Sequence, residues 1–140
     1  MAGKLTDMQR TYTLESIECK NNTGVTYGVG DGSVLVPIAD NAIMVGVVTN
    51  DEKLNDPIRG GYDAVNGQKG KAIAVQVEGY GIIKLSGVVA YGQQMILATG
   101  GLAKKIPVVA GTYNVIGRAE KAGIDGDFIP FSIEADVVVV

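Results

Sequence analysis

The chain has 140 residues and a formal charge of −3, from 12 basic and 15 acidic side chains, with no histidine and a single cysteine. A chain of this size can bury one adequate core without a metal or disulfide, and its scattered charges leave no basic stripe for phosphates, which argues against nucleic acid as a partner. Without histidine the commonest general base near neutral pH and the usual zinc sites are missing, and Cys19 alone supplies neither a thiolate cluster nor an internal disulfide.

The 20 glycines are about twice the usual share, and with two Phe and no Trp the core has to be built from Val, Ile, Leu and Ala. No segment reaches the ~20 apolar residues of a spanning helix, so no membrane partner is expected. Nor does the N-terminus carry the apolar run of a signal sequence. The expectation is a chain made and kept in a cytoplasm, with no cofactor.

Residues 1–10 are mostly polar and without period, and read as a flexible N-terminal arm, ordered only by a partner; residues 11–140 read as a single β domain. Residues 11–20 alternate, with Tyr12, Leu14, Ile17 and Cys19 as apolar members. The alternation slips between Leu14 and Ile17, which predicts a bulge or bend, and Cys19 reads as a small hydrophobe in a strand. Residues 21–33 are turn chemistry. Gly28, Gly30 and Gly32 resemble a phosphate-cradling loop only superficially, because no amphipathic helix follows to aim its N-terminus at an anion.

Residues 34–38 and 42–49 are apolar runs of strand character, the first limited by Pro37, which has no N–H for a ladder. Residues 50–69 are polar and rich in breakers, a long surface loop of the kind where partners bind. After Gly70 the strands tighten: Ile73, Val75 and Val77 face one way, Ala72, Ala74, Gln76 and Glu78 the other. Gly79 and Gly81 bend the chain into residues 82–85, and Gly100-Gly101 predicts a two-residue hairpin turn before residues 102–106. Residues 117–123 have room for at most one short helix before the last strand, residues 126–140. The fold class is therefore all-β, a small β-barrel or β-sandwich.

An internal echo runs through this order. Val45-Gly46 and the strand opened by Gly70, with Ile73, Val75 and Val77, parallel Ile116-Gly117 and the strand opened by Gly126, with Ile129, Phe131 and Ile133. Two copies of a β-loop-β unit would pack as halves of one small barrel or sandwich; chance similarity in a β-rich chain is the competing account.

Residues 75–85, Tyr91-Gly92, the Gly100-Gly101 hairpin, Ile116-Gly117-Arg118-Ala119 and residues 126–133 together resemble the capsid cement, or head decoration, proteins of tailed bacteriophages. The resemblance covers roughly residues 70–133 and rests on the order of parts: alternating strand, glycine-marked hairpin, Ile-Gly-x-Ala step, closing strand. It implies a tulip-like β domain that forms a homotrimer and sits on the outer capsid surface of the virion, binding the major capsid protein, with no catalytic residue. Candidate capsid contacts are Lys4, Leu5, Met8 and Arg10 of the arm and Leu54, Ile58, Arg59 and Tyr62 of the long loop; Val137, Val138, Val139 and Val140 are the candidate trimer interface, or core, because an unpaired apolar edge would be sticky. The alternative is a β-sandwich binding carbohydrate or another surface through Tyr27, Tyr62, Tyr80 or Tyr91. A carboxylate enzyme would need a pair such as Asp51 with Glu52 or Asp125 with Asp127 shielded from water.

Overall fold

The computed structural model describes residues 8–49 and 65–140. The described residues form an all-β protein with strands β1 (Met8–Leu14), β2 (Glu18–Lys20), β3 (Gly24–Tyr27), β4 (Ser33–Leu35), β5 (Met44–Val48), β6 (Val65–Gln68), β7 (Ala72–Glu78), β8 (Tyr80–Lys84), β9 (Gln94–Ala98), β10 (Leu102–Lys105), β11 (Thr112–Ala119) and β12 (Phe128–Val139). A 3-10 turn, Thr99–Gly101, is the one helical element among them.

β1, β4, β3, β5 and β7 close into a barrel in that order, with β2 and β6 paired as a separate ribbon. The expected alternation does the work: Ile73 and Val75 point into the barrel, where they meet Leu14, Cys19, Val25, Val34 and Val48. Each such side chain, fully removed from water, contributes about 1.5–3 kcal/mol. The slip after Leu14 is a break between β1 and β2 that leaves Ile17 exposed.

Several boundaries differ from the sequence expectations. Met8 and Arg10, assigned to the arm, belong to β1, where they pair with Glu78 and Val75 of β7; the two backbones satisfy each other across the ladder. β3 lies within residues read as turns, because it is paired on both sides: Thr26 and Tyr27 with β4, and Gly24, Val25 and Thr26 with β5. The hairpin between β9 and β10 has a three-residue turn, with Leu102 opposite Ala98 and positive φ at Gly100 and Gly101. No helical turn forms after Ile116. β11 continues through Gly117 to Ala119, because β12 offers a partner at each step and glycine lets the Ser132 carbonyl come close.

The second sheet, β10-β9-β11-β12-β8, repeats the first strand for strand. Val47↔Gln76 and Val48↔Val75 between β5 and β7 have counterparts in Arg118↔Ser132 and Ala119↔Phe131 between β11 and β12. Tyr12↔Ile73 corresponds to Ile83↔Ile129, and Thr26↔Leu35 to Ile96↔Lys104. The connecting hydrogen bonds follow: Leu14 N donates to Lys71 O at 3.0 Å as Leu85 N does to Asp127 O at 2.8 Å, and Glu15 N to Val34 O at 2.8 Å as Ser86 N does to Ala103 O at 2.7 Å.

Every buried residue of the first core has its equivalent in the second, at Leu85, Val89, Met95, Ala103, Ala119, Ile129 and Phe131. The echo seen in the sequence is thus a repeat of a whole five-strand unit, not two halves of one barrel. Closure differs in degree: β1 and β4 pair in parallel at Thr13↔Ser33 and Leu14↔Val34, whereas one parallel bridge, Leu85↔Ala103, draws the second sheet together.

The two units share a joint. The connection from β4 to β5 lies on the turn between β9 and β10: Gly100 N donates to Pro37 O at 2.8 Å, Asn41 N to Leu97 O at 2.8 Å, and Ala42 bridges Leu97. Asn41, at φ +70, donates from Nδ2 to Thr112 O at 3.0 Å and accepts from Asn114 N at 2.7 Å. Asp40 accepts from Thr99 N at 2.8 Å and Thr99 Oγ1 at 3.0 Å and is ion-paired with Lys104. Val47 reaches across to join the second core.

Candidate functional site

The expected contact residues fall into two groups. Lys4, Leu5, Leu54, Ile58, Arg59 and Tyr62 lie outside the described residues, as do Asp51 and Glu52. Met8 and Arg10 are exposed at the start of β1, with Arg10 Nη2 3.8 Å from Met8 Sδ.

The C-terminal valines are paired through their backbone, and Val137, Val139 and Val140 are bare at their side chains. Val137, Val138 and Val139 lie opposite Asn114, Tyr113 and Thr112, and Val140 exchanges hydrogen bonds with Gly111 at 2.8 and 3.2 Å. Val137 is 62 % and Val139 76 % exposed, while Val138 is half-buried, so within one chain they are not core. β8 accompanies β12 only over Phe128–Ser132; among the described strands β11 alone pairs with it thereafter. An open groove beside this ribbon is lined by Ile43, Met44, Val115, Ala135 and Val137 together with Asn114 and Asp136.

Several charged groups among the described residues are spent on the backbone. The glycine loop after β3 does cradle an anion, and the chain supplies it: Val29 N and Gly30 N donate to Glu15 Oε1 and Oε2 at 3.0 and 2.9 Å, bonds that hold its carboxyl below the usual range. A carboxylate fourteen residues upstream is invisible to a motif search confined to the loop. Asp125 Oδ1 accepts from Gly87 N at 2.8 Å and Asp127 Oδ2 from Ile124 N at 3.0 Å; both side chains are exposed caps on turns and do not converge in a shielded pocket. The Lys104 ion pair, followed by the Thr99 hydrogen bonds, lowers Asp40 to about 2. Burial pushes the Cys19 thiol up to about 11, the opposite of what a reactive thiolate needs. No cluster of three His, Cys, Asp or Glu able to hold a metal occurs among the described residues.

The arrangement therefore defines a rigid β body whose largest unsatisfied feature is apolar surface on connections and on the C-terminal ribbon. No family model matches the sequence, and no curated protein matches it. Among solved structures, the fold is similar to that of the head fiber gp8.5 N base in bacteriophage phi29, with a TM-score of 0.58 at 15% identity over 91% of this chain and 94% of that one. At that identity the likeness is one of fold.

Proposed function

We propose that this chain is a structural protein of a bacteriophage head, a decoration protein that binds the outer capsid surface as a homotrimer and stabilises contacts between major capsid subunits, without catalysis or cofactor. The observation that carries this reading is the likeness, over 91% of the chain, to the base of a phage head fiber. The exposed valines of the C-terminal ribbon add to it, because contiguous apolar surface marks contact sites.

Such a protein acts by mass action. Whatever binds the assembled lattice and not its separated subunits stabilises the lattice, by about 2.7 kcal/mol per site at a hundredfold excess over Kd. Modest contacts from each copy of a trimer add up, because the second and third form within an already tethered complex.

The test is to add the purified protein to heads lacking it. Electron microscopy should show added density on the outer surface, and the temperature of head disruption should rise with protein concentration. Chains starting at Met8, or lacking residues 50–64, should attach more weakly with an unchanged Tm of the isolated protein. Heads that neither gain density nor change in stability would sink the proposal. Exposed Tyr27, Tyr80 and Tyr91 keep the carbohydrate alternative in play; selective binding on a glycan array is the result that would favour it.

A further inference from the structure

The joint between the two barrels uses different faces of the repeated unit on its two sides. The first barrel contributes the connection between β4 and β5; the second contributes the turn between β9 and β10, with Leu97 and Lys104 beside it. By the register of the repeat, Leu97 corresponds to Tyr27, Thr99 to Val29, Lys104 to Leu35 and Asp40 to Gly111. Each barrel therefore also carries the face its partner uses, and in a single chain two of the four faces remain open: the β3–β4 connection of the first barrel and the β10–β11 connection of the second.

Both open faces carry bare apolar side chains, with Asp31 beside those of the first. Leu97 is 0 % exposed in the joint, but its counterpart Tyr27 is 65 % exposed, and Val108 on the other open face is 91 % exposed. Val29 and Val109 stand beside them, also exposed. Their polarity changes in step. The joint matches Asp40 with Thr99 and Lys104, whereas the open faces would match Gly111 with Val29 and Leu35, so the ion pair of the joint is absent from both sides together; Asp31 in the β3–β4 connection and the Glu15 carboxylate bound to it would have to stay at the solvated rim of the contact. Glu15 already holds the β3–β4 connection in a fixed shape, which lowers the ordering cost of docking. Val140, hydrogen-bonded to Gly111, borders the other face and brings the C-terminal ribbon to its rim.

We propose that copies of this chain associate head to tail by repeating the joint between their own barrels, the β10–β11 connection of one copy seated on Tyr27 and the β3–β4 connection of the next, in a closed ring of three chains that displays six barrels. A heterologous contact of this kind forms rings when its rotation closes. The inference rests on the homotrimer reading and names the surface that makes it.

Sedimentation of the full chain, of Tyr27→Asp and of Val108→Asp tests both levels. The wild-type protein, 14.5 kDa per chain, should sediment at three times that mass and each variant at one. Both side chains are exposed in the single chain, so each variant should stay folded and unfold cooperatively, with a Tm lowered only by the loss of association. Mixing the two variants restores one intact face pair per couple, and a two-chain species should appear that neither gives alone. Variants that keep the wild-type mass, or a mixture that stays monomeric, would overturn the head-to-tail joint and leave the homotrimer reading standing. A wild-type chain that sediments singly would remove the homotrimer reading and the joint with it.

Discussion

Gly46 and Gly117 hold matching positions in the repeat for one steric reason: a Cβ at the first collides with the Gln76 carbonyl, and at the second with that of Ser132. Gly117→Ala should lower stability by about 1–3 kcal/mol, read from the denaturation midpoint. Gly126→Ala, with open space around it but φ +85, should cost only about 1 kcal/mol. Asp40 gives a pH dependence. Its folded pKa of about 2 lies below the ordinary ~3.9, so its contribution is full above pH ~4 and is lost as pH falls through about 2. Because the side chain is 46% exposed, that contribution is about 1 kcal/mol or less. The stability gap between wild type and Asp40→Asn should therefore narrow and close between pH 5 and pH 2 (about the range set by the two pKa values); a gap that stays constant would exclude the ion pair as its source. Cys19 should react with a thiol reagent near pH 8 only after denaturation, since burial both shields it and keeps it protonated. Its burial was legible because Cys19 falls in an alternating run. Asn41 was not, because its role depends on a positive φ and on partners more than seventy residues away.

At the level of elements, β7, β9, β10 and β12 were legible as alternating or apolar runs between glycines. β3 was hidden because Gly24 and Gly28 bracket its few strand-forming residues, so local composition signalled a turn while the ladders on both sides decided otherwise. The short helix allowed after Ile116 lost to β12, whose length supplied partners as far as Ala119. Part of the fold's repeat could be seen at Gly46, Gly117, Ile73 and Ile129, and at Val75 and Phe131; the rest was masked because equivalent core sites differ in identity, Cys19 against Val89 and Val34 against Ala103. Leu97 is the residue where element and joint meet. Leu97→Ala should cost about 2–5 kcal/mol and accelerate amide exchange at Asn41, whose N–H is bonded to the Leu97 carbonyl. Unchanged exchange there would mean the joint does not depend on that side chain.

For the whole molecule, the shared joint sets the cooperativity. Val47 of the first unit is part of the second core, and Asn41 clamps β11, so neither barrel can open without exposing the other. Thermal unfolding should show one transition, with calorimetric and van't Hoff enthalpies equal; two resolved transitions would show the barrels to be independent. The passage from one barrel to the next is a single residue, Gly79 between β7 and β8, and Gln76 Nε2 grips both sides of it through the carbonyls of Glu78 and Tyr80 at 3.0 and 2.7 Å. With no slack in that crossing, the two units keep a constant spacing, like a caliper set at one opening; a lattice held through both of them, as proposed above, would be gripped at one repeat length and released when swelling or contraction changed it.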